Sequence, residues 1–406
     1  MTDPINLYNS EFDPIIDRRS SDSTKWLKYD EDVLPMWVAD MDFLSPEPVL
    51  RALRARIDHG IFGYPHSLDA TPGQPSTFRL LLVERMQRLY RWQIQPDDII
   101  FLPGVVTGFH LACHALGSPQ NPVVIQTPVY HPILHAGQET GIAGLHSELL
   151  HQPDGTYDVD WDAFEAQISG QPVDGEAVRP GLFILCNPHN PVGKVFTPAE
   201  LERTAAICLR HGVPIVSDEI HCDLIFSGHR HTPIASLDPE IAQNTITLMA
   251  PSKTFNIAGL QCSFAIVPNP ALRKRYLNAR KGLVPWVNLA GMLAGEAAYQ
   301  HGQEWLDRLL VYLETNRNFL VDYVRQNLPG VQVAAPQGTY LAWLDFRQVE
   351  NSELRADPYK FLLDCARLAV NDGASFGPGG QGFVRLNFGC PNLTLEEGLQ
   401  RIRQAL

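Results

Sequence analysis

Short apolar runs alternate with amphipathic segments through the middle of the chain. Five of these runs are read as buried strands, at residues 99–102, 123–125, 182–185, 213–216 and 246–248. A short apolar run bounded by turn-forming residues is typical of a strand that is covered on both faces. Residues 104–116 have helical spacing, and a capping box at Thr197 and Glu200 begins another helix that Gly212 ends. This alternation predicts an α/β domain around a mostly parallel sheet.

The pattern changes on both sides of this domain. The first 45 residues are polar and irregular until an apolar stretch at 34–39, and a helix is predicted next, with Ser45 as its cap and Pro46 at its first position. After residue 285, a long helix is expected at 305–328. Strands are expected there too, at residues 331–335, 340–346 and 383–388.

These patterns predict three regions and two loops. The regions are an N-terminal arm at 1–45 that packs on the functional site, a large α/β domain at 46–285 and a smaller α+β domain at 286–406. The polar segments 66–77 and 169–180 are predicted to be surface loops.

Composition limits the classes of function. The chain has 406 residues, more than one compact core usually absorbs, and its formal net charge is -13. That acidity argues against nucleic acid or an anionic membrane as the main partner, and no apolar run approaches the ~20 residues of a membrane span. No secretory signal is expected at the N-terminus. Seven scattered cysteines without a CxxC pair indicate buried free thiols and a cytoplasmic location.

Polar residues follow the predicted strands where ligands gather in open parallel sheets, at the carboxyl ends. Asp218 closes the strand at 213–216, Asn190 follows 182–185, Tyr130 follows the strand that ends near 126, and Lys253 lies just beyond 246–248. Taken singly, each has an ordinary structural explanation as a cap, a turn residue or a solvated side chain. Taken together, they predict a cofactor site.

In this order and on these elements, the residues resemble the fold-type-I enzymes that depend on pyridoxal 5′-phosphate (PLP). The resemblance is closest to the cystathionine β-lyase-like (C–S lyase) branch of the class I/II aminotransferase superfamily, the MalY/PatB group, and it runs nearly end to end. It rests on the strings at residues 34–43 (LPMWVADMDF), 62–64 (FGY), 104–106 (GVV), 187–193 (NPHNPVG), 217–221 (SDEIH), 252–256 (SKTFN), 258–261 (AGLQ) and 383–388 (FVRLNF). It implies the PLP-dependent transferase fold, with PLP bound in the large domain.

The resemblance also implies roles for the residues around the cofactor ring. Lys253 would hold PLP as a Schiff base and later serve as the proton-transfer base. Asp218 would pair with the protonated pyridine nitrogen and keep the ring an electron sink. Asn190 would hydrogen-bond the ring's 3′-oxygen, with His221 nearby, and Tyr130 would stack on the ring face.

The phosphate and the substrate need groups of their own. By resemblance, the phosphate would lie at the helix that opens with Val105 and Val106, because backbone N–H groups at a helix N-terminus attract anions. Ser252 would add a hydroxyl, and Tyr64 would reach the phosphate from a second subunit, which implies a homodimer with shared active sites. Arg385 would clamp the α-carboxylate of an amino-acid substrate. Ala39 and Asn190 would complete the substrate site.

The resemblance favours β-elimination from L-cystathionine or related cysteine S-conjugates, which gives a thiol, pyruvate and ammonia. An aminotransferase that uses the same PLP site is the alternative, since both reactions begin by removing the Cα proton. A PLP-binding regulatory or interaction protein is a lesser alternative. No metal site is predicted, because no Glu completes a metal motif with His110 and His114, and the cofactor motif already accounts for the string at 221–223 (HCD).

Overall fold

The computed structural model describes residues 10–64, 75–170 and 178–406. Most of the two predicted surface loops, at 65–74 and 171–177, lies outside the described residues. Thr77 begins a helix and Ser169 ends one, so these two ends of the predicted loops are helical.

Helices and strands alternate through most of the described chain. The helices are α1 (Thr24–Leu27), α2 (Glu47–His59), α3 (Thr77–Tyr90), α4 (Val105–Leu116), α5 (His131–Glu139), α6 (Trp161–Ser169), α7 (Pro198–His211), α8 (Pro239–Gln243), α9 (Pro270–Arg280), α10 (Leu289–His301), α11 (Gln303–Asn327), α12 (Ser352–Ala356), α13 (Pro358–Asp364) and α14 (Asn392–Ala405). The strands are β1 (Leu34–Pro35), β2 (Ile99–Leu102), β3 (Val123–Thr127), β4 (Gly144–His151), β5 (Tyr157–Val159), β6 (Leu182–Cys186), β7 (Ile215–Asp218), β8 (Thr245–Met249), β9 (Ser263–Ile266), β10 (Leu341–Asp345), β11 (Leu368–Ala369), β12 (Asn371–Asp372) and β13 (Phe383–Asn387).

An eight-stranded sheet forms the centre of the large domain, in the order β2-β9-β8-β7-β6-β3-β4-β5. The neighbours from β8 through β4 are parallel, while β9 and β5 run antiparallel to the strands beside them. All five predicted strands lie in this sheet, and β3, β6 and β8 are buried along their whole length. The predicted α/β class with a mostly parallel sheet is confirmed.

A second sheet, antiparallel in the order β10-β13-β12, lies in the C-terminal part of the chain with the long helix α11. The predicted strands at 340–346 and 383–388 are confirmed, and the α+β character of this region with them. The predicted strand at 331–335 is wrong, because Gln332 alone bridges to Asp345 there. Its alternating apolar residues pack beside the sheet without pairing along a strand. The domain boundaries at 45 and 285 stay a prediction.

The predicted helix caps can be compared with the structure at α7, where the prediction is confirmed, and at α2, where it is wrong. The capping box of α7 forms as predicted, with Thr197 and Glu200 bonded to each other's backbone and Gly212 left-handed after the last turn. Ser45 does not cap α2, which contradicts the prediction. Pro46 holds the cap position instead, because the Ser45 hydroxyl donates to the carbonyl oxygen of Asn256.

That Ser45 bond belongs to a set of contacts that fixes residues 36–43 against the rest of the protein. The Asn256 amide bonds Met41 at both its N–H and its carbonyl. The Asn387 amide donates to the carbonyls on either side of Ala39. Two distant parts of the chain therefore hold the backbone of Ala39 in place.

Two bulk expectations can be compared with the structure. All seven cysteines are free, and six are buried as expected, whereas Cys365 is exposed. Within the described residues, no helix combines the length and the apolar character needed to cross a membrane.

Candidate active site

A cavity of about 170 Å³ opens where the parallel strands β6, β7 and β8 end. Nine of the predicted site residues line it: Ala39, Val105, Val106, Tyr130, Asn190, Asp218, His221, Ser252 and Lys253. The volume suits a small molecule rather than a polymer. The structure thus brings together residues that lie up to 214 positions apart in the sequence.

Lys253 lies just after β8, and its side chain is half-buried. Its amine donates to the carbonyl oxygen of Ala39 at 2.6 Å. Burial lowers the pKa of Lys253 to about 8, an effect that the negative charges of Asp40 and Asp218 oppose and the positive charge of Arg385 reinforces. Near neutral pH, a useful fraction of this amine is therefore unprotonated and able to act as a base or nucleophile.

Asp218, the last residue of β7, is a buried carboxylate that faces the cavity. One of its oxygens accepts the backbone N–H of Ile220 at 3.1 Å. The pKa of Asp218 is raised to about 7, because burial, aided by the neighbouring Glu219, outweighs the lowering by the Ile220 N–H and by Lys253. A buried carboxylate with so few donors gains most from a cationic partner inside the cavity.

The first turn of α4 also lines the cavity. Gly104 precedes this helix and supplies no side-chain cap, so the first N–H groups of the turn, at Val105 and Val106, have no partner within the helix. Ser252 and Gln261 also line the cavity. Free N–H groups at a helix N-terminus together with a hydroxyl form a site for an anion such as a phosphate.

Arg385 projects from β13 behind Asn190 and is 3% exposed. Its Nη1 donates to the side-chain oxygen of Asn190 at 2.9 Å, which leaves the Asn190 NH₂ group free to face the cavity. Its Nη2 donates to the Trp37 carbonyl at 3.0 Å and to Asn371 Oδ1 at 2.7 Å. Arg385 forms no ion pair with any carboxylate of the described chain, and burial lowers the pKa of its guanidinium to about 10.

Aromatic groups enclose the middle of the cavity. Tyr130 lines it from the cap of α5, and burial raises the pKa of its hydroxyl. His221 is buried, and burial together with Lys253 and Arg385 lowers its pKa to about 3, so the ring is neutral. Its ring packs edge-on against Tyr340, whose hydroxyl donates to the same Ala39 carbonyl as Lys253.

Tyr64 lies outside the cavity of its own chain. Its side chain is 97% exposed, and its ring centre is 6.5 Å from that of Trp286. Other exposed apolar residues accompany it on 57–64 and 283–286, at Ile57, Ile61, Phe62 and Leu283. A role for Tyr64 in a second subunit's site stays a prediction.

Comparison with known proteins then places this chain in a family. Residues 31–402 match the family model described as "Aminotransferase class I and II". The chain belongs to the class I and II aminotransferase family. The match covers the eight-stranded and three-stranded sheets, the short parallel pair β1–β11 and every residue that lines the cavity.

Within the aminotransferase family, the chain is similar to C–S lyases. It is 42% identical over 402 residues to "Cystathionine beta-lyase PatB" of Bacillus subtilis (strain 168), covering 97% of this chain and 99% of PatB. A PLP-bound C–S lyase from Staphylococcus hominis superposes with a TM-score of 0.88 at 31% identity, covering 98% of both chains. A PLP-bound putative aminotransferase from Clostridium difficile 630 gives a TM-score of 0.90 at 37% identity, covering 98% of this chain and 100% of that one. The resemblance to the cystathionine β-lyase-like branch is confirmed.

Three groups of this aminotransferase-family site were not predicted from the sequence. They are the Tyr340 hydroxyl, the Trp37 carbonyl and the Asn371 side chain, each of which contacts Ala39 or Arg385. Trp37 lies in a string that marked the branch, but its backbone role has no sequence signal. Asn371 is the cross-strand neighbour of Arg385, which becomes visible only when β12 and β13 are paired.

Proposed function

We propose that this protein is a PLP-dependent C–S β-lyase that cleaves L-cystathionine or a related cysteine S-conjugate to a thiol, pyruvate and ammonia. An amino-acid substrate is supported mainly by two residues that occur together at this site. Lys253 is a reactive lysine, and Arg385 is a buried arginine without an anionic partner in the described residues. The similarity to PatB over nearly the whole chain favours cleavage of a carbon–sulfur bond.

The cavity fits PLP at three points. Asp218 offers a buried carboxylate to a protonated ring nitrogen, and the first turn of α4 with Ser252 offers N–H and O–H donors to a phosphate. Lys253 offers its amine to the aldehyde carbon. When bound, PLP supplies an electron sink that stabilises negative charge at the substrate Cα.

Arg385 binds the substrate through its α-carboxylate. The guanidinium is held in one orientation by Asn190, Trp37 and Asn371, so its remaining N–H groups point in a fixed direction. The positive charge and the remaining N–H of Nη1 attract the carboxylate, and a charge-assisted hydrogen bond from a donor held in one orientation sets where the carboxylate binds. The substrate Cα is thereby oriented toward Lys253.

Lys253 moves the proton. Its amine accepts the Cα proton of the substrate, which its lowered pKa of about 8 permits near neutral pH. The Ala39 carbonyl, itself fixed by Tyr340 and Asn387, accepts a hydrogen bond from the amine and sets its direction. Loss of the Cα proton then allows the bond from Cβ to sulfur to break and the thiol to leave.

We also propose a homodimer in which Tyr64 reaches the phosphate of the neighbouring subunit. The exposed apolar residues around Tyr64 and Trp286 support this, because a surface patch of that kind usually meets another protein. Tyr64→Phe is expected to weaken PLP binding without changing the dimer mass in light scattering. A cytoplasmic location is proposed from the seven free thiols.

The function is tested by incubating the PLP-loaded protein with L-cystathionine and no added 2-oxo acid. The proposal predicts equal amounts of thiol, pyruvate and ammonia. Turnover only when a 2-oxo acid is added would identify an aminotransferase instead. Lys253→Ala is the matched control, because it keeps the cavity and removes the base.

A further inference from the structure

Within the described residues, Arg385 donates hydrogen bonds to neutral groups only. A guanidinium has five N–H donors, and three hydrogen bonds occupy Arg385, to Asn190 Oδ1, Trp37 O and Asn371 Oδ1. Its Nε is buried without a partner in the described part of the chain. The ring of Phe376 lies 5.1 Å from the guanidinium carbon and adds a neutral π face.

Burial without a counter-ion sets Arg385 apart from the other buried cations of the described residues. Lys25 lies 2.7 Å from Asp42, and Arg85 pairs with Asp223. An uncompensated buried charge is costly to the fold, so its persistence indicates that an anion is bound there during function.

Among the described residues, two side-chain amides accept hydrogen bonds from Arg385, and either would become anionic if it were exchanged for a carboxylate; Asn190 lines the cavity, whereas Asn371 does not. Asn371 stands opposite Arg385 across the pair β12–β13 and is half-buried. Its Oδ1 occupies one N–H of Nη2, and the Trp37 carbonyl occupies the other. The next residue, Asp372, does carry a carboxylate, but that group accepts the N–H of Ala374 on its own side of the strand.

We propose that Asn371 is a positioning and specificity-determining residue, which orients Arg385 while leaving its positive charge for the substrate carboxylate. This inference rests on the proposed role of Arg385 in binding an amino acid. An amide accepts the same hydrogen bond as a carboxylate but carries no charge. Asn371 therefore fixes the guanidinium without competing electrostatically with the substrate.

Exchange of Asn371 for aspartate or alanine separates these two properties. Asn371→Asp keeps the acceptor in place but forms a buried ion pair with Arg385. Asn371→Ala removes the acceptor and leaves the charge free. If Asn371 had a purely structural role, the aspartate variant would bind the ligand better than the alanine variant, because aspartate keeps the hydrogen bond. The proposal predicts the reverse, with the alanine variant binding the ligand better than the aspartate variant.

The test is calorimetric titration of the PLP-loaded protein with sodium propionate, a carboxylate with no amino group, at constant ionic strength. Asn371→Asp is expected to weaken propionate binding on the order of 10- to 100-fold, and Asn371→Ala is expected to weaken it by less than about fivefold. The KM for L-cystathionine should rise more in Asn371→Asp than in Asn371→Ala, and kcat should change much less than KM in both variants. Asn371→Asp should also have a higher thermal midpoint than the wild type without ligand.

The control is Asn318→Asp, because Asn318 accepts hydrogen bonds from Arg317 in the same way on the surface. It adds the same charge and should leave propionate affinity unchanged. A propionate Kd for Asn371→Asp equal to or lower than that for Asn371→Ala, or an aspartate variant that unfolds more easily than the wild type, overturns the proposal. Propionate binding needs no turnover, so a wild type without lyase activity would refute the proposed reaction and leave this comparison measurable.

Discussion

Two buried arginines of this protein have opposite surroundings. Arg85 on α3 pairs with the buried carboxylate of Asp223, which also accepts the Thr254 hydroxyl at 3.1 Å, and its guanidinium lies 4.4 Å from the ring centre of Tyr299. In the part of the chain that the structure describes, Arg385 has only amide and carbonyl acceptors. The difference separates a charge that stabilises the fold from a charge that is kept for a ligand.

Both arrangements are close to Lys253. The Arg85–Asp223 pair holds Thr254, the residue after Lys253, so it supports the loop that carries the amine. Arg385 acts on Lys253 through its field, which lowers the pKa of the amine. Arg85 thus supports the backbone of the loop that carries Lys253, whereas Arg385 influences the protonation of the Lys253 amine.

The largest effect is expected from breaking the paired arrangement. Arg85→Met leaves Asp223 buried without its cation, which should lower the free energy of unfolding by about 3–5 kcal/mol. Chemical denaturation measures this. The control is Arg325→Met, whose partner Asp322 is exposed, and it should change stability by less than about 1 kcal/mol. Equal losses in the two variants would contradict the comparison.

Removing the unpaired charge should affect binding rather than folding. Arg385→Met is expected to lower kcat/KM with L-cystathionine on the order of 100- to 1,000-fold, because the carboxylate loses its cation. Its free energy of unfolding should stay the same or rise, since an uncompensated buried charge is removed. A loss of stability as large as that of Arg85→Met would show that Arg385 serves the fold instead.

A smaller effect is expected from removing the charge of Asp40, a carboxylate that belongs to an ion-paired cluster and influences the pKa of Lys253. Asp40 pairs with Arg18 at 2.8 Å, and its charge raises the pKa of Lys253 against the lowering by burial. In Asp40→Asn that pKa falls below about 8, so more of the amine is unprotonated at a given pH. The acid limb of the kcat profile should move to lower pH, by up to about one unit.

The matched control for this shift is Asp30→Asn, because Asp30 pairs with Arg367 on the exposed surface. Its pH profile should match that of the wild type. A limb that moves to higher pH in Asp40→Asn would mean that the observed ionisation is not that of Lys253.

The sequence was sufficient for the parts of the site that are local. Asp218 and Lys253 stand at the ends of apolar runs, so their strands and their shared edge could be predicted from patterning alone. The family resemblance then supplied roles for Arg385 and Asn190, which no spacing could give.

The parts that could not be predicted depend on contacts between distant segments. The Ala39 carbonyl meets Lys253 across 214 residues, and Asn371 meets Arg385 only because β12 pairs with β13 in that register. The lack of a counter-ion at Arg385 is a property of its whole surroundings. The strand wrongly predicted at 331–335 fails for a related reason, since alternation is present there but pairing with β10 is confined to the single bridge from Gln332 to Asp345.

The most direct test of the account is to identify the residue that carries PLP. The PLP-loaded protein is reduced with borohydride and digested, and the modified peptide is sequenced by mass spectrometry. The account predicts one pyridoxyl group on Lys253 in the wild type. The corresponding peptide of Lys253→Ala should carry no pyridoxyl group. A modification at another lysine in the wild type, or a protein that binds no PLP, would contradict the assignment of this cavity as the active site.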